Sequence, residues 1–145
     1  MTVSLVVLAL VSTMLATEKR KRLPQVTSAQ VPFYPEVPQK AHIEGVIQLR
    51  IVTDGRRASS IDVVDGQPML ARVAIDNVKT WEFEQHRPAT FETIFRYSLL
   101  PAECDASCNC DSLEAPFVRL RLPGEVEVNA PEVLTCDPKS KLEPK

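Results

Sequence analysis

From Thr90 to Leu99 the chain alternates without a break. Phe91, Thr93, Phe95, Tyr97 and Leu99 fall on one face; Thr90, Glu92, Ile94, Arg96 and Ser98 fall on the other. A sustained period of two is the pattern of a strand with one buried and one solvated face. Such a strand needs sheet neighbours and a cover over its aromatic side.

The neighbours are legible upstream. Ile47, Leu49 and Ile51 alternate with Val46, Gln48, Arg50 and Val52, and Asp54-Gly55 then signals a hairpin. The return strand is expected over Ala58 to Asp65. A two-residue loop would set Leu49 against Ser60. A three-residue loop of Asp54, Gly55 and Arg56 sets Leu49 against Ile61, Ile47 against Val63, Gln48 against Asp62 and Arg50 against Ser60. A one-residue slip flips every side chain, so the second register is expected, with an odd-length turn, a bulge and Gly55 at positive φ.

The cover comes next. Pro68 suits the first turn of a helix, and Leu70, Val73, Ala74, Val78 and Trp81 recur at helical spacing opposite Arg72, Asp76 and Lys79. A further short helix of one or two turns is expected at Glu36 to His42, with Pro38 in its first turn. The fold class is therefore α+β: a small three-stranded antiparallel sheet with one main helix on one face. Its strand order is second–first–third, with the Phe91 strand at an edge. A unit spanning residues 33–100 is close to the lower size limit for a self-sufficient core, so support from the remaining chain is expected.

The flanks carry different signals. Val3 to Ala16 is apolar and shorter than the roughly 20 residues of a membrane span, so residues 1–17 read as a signal peptide or a short membrane anchor. Residues 18–32 have no periodicity and read as a linker. Residues 101–145 form an extension holding all four cysteines: Cys104, Cys108, Cys110 and Cys136. An even, clustered set behind an apolar N-terminus points to export and disulfides. A Cys108–Cys110 bridge would be strained, which disfavours its pairing scheme and leaves the other two open. The alternative is four thiolates around a metal or in redox chemistry, although CxxC pairs are missing. Between the cysteines, residues 117–128 read as a hairpin about Pro123-Gly124, with Arg119 and Arg121 facing Glu125 and Glu127. This hairpin is expected to pack beside the central unit and cover a sheet edge.

Net charge is −2, and the basic runs lack interleaved aromatics, which argues against nucleic acid as a partner. No nucleophile elbow, phosphate loop or HExxH occurs. His42 and His86 read as solvated, so no catalytic residue, metal site or cofactor is expected and the chain reads as a binding module.

The assembled motifs resemble the C-terminal domain of TonB-type energy transducers over residues 33–100. The resemblance rests on Tyr34-Pro35, Gly45 opening an alternating strand, Asp54-Gly55, the helix leading into Trp81-x-Phe83, and the closing Phe95-x-Tyr97-x-Leu99. It implies a periplasmic, cell-envelope protein, exported or held at the inner membrane through its N-terminus. It also implies that the domain grips an extended segment of a TonB-dependent outer-membrane receptor by strand addition, while an inner-membrane proton-driven motor pulls. The docking positions would be the edge strand at Thr90, Glu92, Ile94, Arg96 and Ser98. A stand-alone periplasmic scaffold without force transduction is the alternative, and an open edge also permits a homodimer.

Overall fold

The computed structural model describes residues 22–136. The signal-peptide or anchor reading of residues 1–17 lies outside the described residues. In chain order the elements are β1 (Val26–Ser28), α1 (Glu36–Lys40), β2 (Gly45–Thr53), β3 (Ala58–Asp65), α2 (Pro68–Val78), β4 (Glu82–Phe83), β5 (Thr90–Leu100), β6 (Ala102–Cys104), β7 (Cys110–Ser112), β8 (Val118–Arg121) and β9 (Glu125–Pro131). The class is α+β, but the main sheet is five-stranded, in the order β3–β2–β5–β9–β8, accompanied by the ribbons β1–β4 and β6–β7. The expected order of three survives inside it, antiparallel throughout. The three-stranded expectation fails because the extension supplies β9, parallel to β5, and β8, antiparallel to β9.

The β2–β3 hairpin keeps the expected faces with a shifted register. Leu49 pairs with Val63, Arg50 with Asp62 and Ile51 with Ile61, two residues from the expected pairing. An even shift preserves which side chains face the core. The cause lies in the turn, where Asp54 Oδ1 accepts from the N–H of Arg56 (2.8 Å) and of Arg57 (2.9 Å). The Asp54 N–H in turn donates to the Arg57 carbonyl at 3.0 Å. The loop is thus Asp54 to Arg57, even in length rather than odd, and the register slips between Val52 and Thr53. Gly55 has the expected positive φ, +112°. A Cβ there would meet the His86 carbonyl oxygen at 2.6 Å, so both conformation and close approach require glycine.

Helix α2 starts with Pro68 in its first turn, and the Gln67 side chain accepts the Leu70 N–H at 3.0 Å. Leu70, Ala71, Ala74 and Val78 are buried. The helix ends at Val78, so Trp81 is not on it as its spacing suggested. A tight turn, Thr80 N–H to Asn77 carbonyl and Trp81 N–H to Val78 carbonyl, swings the indole into the core instead. There Trp81 is fully buried and stacks on Phe95 at 6.2 Å. Its Nε1–H donates to Asn77 Oδ1 at 3.0 Å.

The segment expected as a linker belongs partly to the fold. Val26 pairs with Phe83 across β1–β4, Pro24 and Pro32 are buried, and the Gln30 carbonyl accepts from Asn77 Nδ2 at 2.9 Å. These contacts are between residues far apart in sequence, which local periodicity does not register.

The extension is stapled twice, by Cys104–Cys110 and Cys108–Cys136. All four sulfurs are paired in these two bridges. Its hairpin turns at Pro123-Gly124, and Val126, Val128 and Ala130 are buried beside Phe95 and Tyr97. Tyr97 packs edge-on against Tyr34 at 5.5 Å, and its hydroxyl is buried with no hydrogen-bond partner among the described residues. Burial, then the Tyr34 hydroxyl, raises its pKa. Replacing it, Tyr97→Phe, is expected to leave stability unchanged within about 1 kcal/mol or to raise it. Denaturant unfolding checks this, and a larger loss would mean that the hydroxyl is bonded.

Candidate docking site

The sheet places the five docking candidates on its uncovered face. Glu92 accepts from Gln48 Nε2 at 2.7 Å and from Arg50 at 3.2 Å. Arg96 donates to Glu125 at 2.8 Å. These partners, Gln48 first for Glu92 and Arg96 first for Glu125, hold both carboxyls below the usual glutamate range. Ile94 and Ser98 sit opposite Glu125 and Asn129, while Thr90 and Glu92 precede the stretch that pairs with β9.

The expected edge is therefore not free. From Ile94 to Leu100 the outer side of β5 is taken by Glu125 to Pro131, and the Ile94 N–H donates to the Gly124 carbonyl at 3.0 Å. The buried Thr93 hydroxyl also donates to the Pro123 carbonyl at 2.6 Å. Peeling β9 away would expose Val126 and Val128, at about 1.5–3 kcal/mol each. That alone costs two to four powers of ten in affinity at about 1.4 kcal/mol per decade. The Cys108–Cys136 bridge further limits how far β9 can travel.

Two outer strands remain, β3 and β8, and they differ in kind. β8 spans only Val118 to Arg121, between Pro116 and Pro123. Its Arg119 is tied to Glu127 and lies 5.0 Å over the Phe117 ring, and Arg121 is tied to Glu125 at 2.9 Å. Short length, proline and charge are the usual protections of an edge. β3 is twice as long and has no proline, and its charged residues are Asp62 and Asp65. Val63 is 45% and Val64 42% exposed. Beside β3 a groove of about 540 Å³ runs along α2, lined by Val63, Ala71, Arg72, Ile75 and Lys79. The groove follows from dimensions: a helix about 10 Å wide covers about two strands spaced roughly 4.8 Å apart. The same arithmetic was open to the sequence once α2 was recognised as the single long helix, but it was not applied to β3.

The remaining motif residues build the core rather than a site. Tyr34 donates to the Ile43 carbonyl at 2.6 Å, and burial, then Glu44, pushes its pKa up to about 12. Pro35 caps α1, Gly45 opens β2 opposite Tyr97, and Phe83 packs against Trp81 and Phe91. His86 is a clamp. Its Nδ1–H donates to the Glu84 carbonyl at 2.8 Å, and its Nε2 accepts from the buried Thr53 hydroxyl at 2.7 Å. His42 lies 2.9 Å from Glu132. His42 is exposed as expected, beside Glu132, whereas His86 is half-buried and ties its loop to the end of β2.

No family model matches the chain, and no curated protein matches it. The two disulfides point to an oxidising, exported compartment. Among the described residues no helix is long and apolar enough to cross a membrane.

Proposed function

We propose that this chain is a periplasmic protein-interaction domain of TonB-like character that captures an extended polypeptide segment by strand addition. The first partner to test is the extended segment of a TonB-dependent outer-membrane receptor. The observation that carries the reading is the pair formed by the open β3 strand and the groove beside it, where Val63, Ala71 and Ile75 line one part and Arg72, Asp76 and Lys79 another. Unpaired backbone groups supply affinity in this mode, and pockets for alternate side chains supply selectivity. Because β9 is built into the core, docking goes to β3 rather than to the β5 edge that the family resemblance implies. Such a module acts as a scaffold; coupling to an inner-membrane proton-driven motor is a further step that only its N-terminal attachment would provide.

The test is calorimetric titration of receptor N-terminal segments into the full chain and into Val63→Lys. Val63 is half-exposed, so the substitution is expected to leave the fold intact and to reduce binding by at least about tenfold, the effect of one desolvated charge in the apolar part of the groove. A second reading places the partner on β5 after β9 is displaced; Phe91 and Glu92, which precede the β9 pairing, favour it. In that case Val63→Lys would bind normally, and opening the Cys108–Cys136 bridge would strengthen binding.

A further inference from the structure

The uncovered face of the sheet is a ladder of alternating charge. Glu92 and Arg50 face each other across β5 and β2, and Arg96 reaches diagonally across β5 and β9 to Glu125. Glu125 and Glu127 continue to Arg121 and Arg119 on β8. At the β3 end the ladder stops on acids. Asp62 lies opposite Arg50, and the bulge between Val63 and Asp65 brings Asp65 opposite Gln48, so both carboxylates share the uncovered row. Arg50 is already engaged by Glu92, and neither aspartate side chain makes an ion pair or a hydrogen bond among the described residues. On the other face the next strand position meets Val63, Ala71 and Ile75 along the groove.

Resting on the strand-addition reading above, we infer that β3 selects a segment in which apolar and cationic side chains alternate. Its apolar row fills the groove beside α2, and its cations continue the ladder against Asp62 and Asp65. Opposite charges directly across a strand pair stabilise it, and like charges oppose it. The chain's own β8, Val118-Arg119-Leu120-Arg121, has this alternation. Its arginines, however, are held by Glu125 and Glu127 within their own sheet, and a β3-to-β3 pair of copies would set Asp62 and Asp65 against acids. The occupant is therefore a separate segment of the stated chemistry and not a second copy.

The experiment uses three synthetic peptides with the same alternating valine and leucine residues. The intervening positions are all lysine, all serine or all glutamate. Each is titrated at low salt into the full chain, into Val63→Lys and into Asp62→Asn/Asp65→Asn. The lysine peptide is expected to bind about tenfold tighter than the serine peptide, a few-fold per charge pair, with the glutamate peptide weakest. The double asparagine variant should shrink that preference to about twofold or less, and Val63→Lys should remove binding of all three. Equal affinity for the three peptides, still lost in Val63→Lys, overturns the charge inference and leaves strand addition standing. No binding by any peptide overturns the underlying reading as well. Concentration-dependent self-association that is abolished by Val63→Lys would assign the edge to a second copy and overturn the inference.

Discussion

Deleting residues 101–145 is expected to abolish the cooperative unfolding transition, not to liberate a functional edge. Val126 and Val128 are fully buried in the same core as Phe95 and Tyr97. Losing them costs about 1.5–3 kcal/mol each in transfer free energy alone. Against a typical stability of about 5–15 kcal/mol, the truncated chain should populate expanded, dye-binding states. Thermal melts followed by near-ultraviolet circular dichroism would show it. A sharp transition in the truncated chain would mean that residues 33–100 fold alone and that β9 is a detachable cover.

Trp81→Ala is expected to be the most damaging single substitution, at about 3–5 kcal/mol. The indole is fully buried between Phe83 and Phe95, and it takes up the Asn77 carboxamide oxygen, which lies in a nearly dry position. Asn77 in turn holds the Gln30 carbonyl, so the N-terminal segment should loosen at the same time. Trp81→Phe keeps most of the ring contact and loses the hydrogen bond, and should cost about 1–2 kcal/mol. Urea denaturation separates the two. Equal losses for both variants would place the energy in the hydrogen bond rather than in packing.

What could be read from the residues was local. The alternation of β2 and β5, the positive φ of Gly55, the Pro68 helix start and the Pro123-Gly124 hairpin each have a signature within a few positions. The β2–β3 register slipped because the Asp54 carboxylate caps two successive N–H groups and lengthens the loop, a choice that strand alternation does not encode. The parallel β5–β9 pairing was not legible, because its partners lie some thirty residues apart, from Ile94↔Glu125 onward. A parallel pair has no turn to announce it. That single pairing moved the candidate site from β5 to β3. The expectation that the 117–128 hairpin covers a sheet edge holds; which edge it covers follows from the parallel pairing, which the residues do not announce.

The Cys108–Cys136 bridge has a mechanical meaning. β5 and β9 run parallel, so both leave the sheet at the same end, and the bridge ties the two departing chains together. Tension applied beyond Cys136 passes directly to Cys108 and on through the Cys104–Cys110 loop to β5. The hairpin of β8 and β9 hangs outside that line and carries no load while the bridge is closed. With the bridge open, the 28-residue segment holding β8 and β9 enters the line, and the load falls on the β5–β9 pairing itself. Closed, the bridge therefore shields the β5–β9 pairing from tension beyond Cys136; open, it does not.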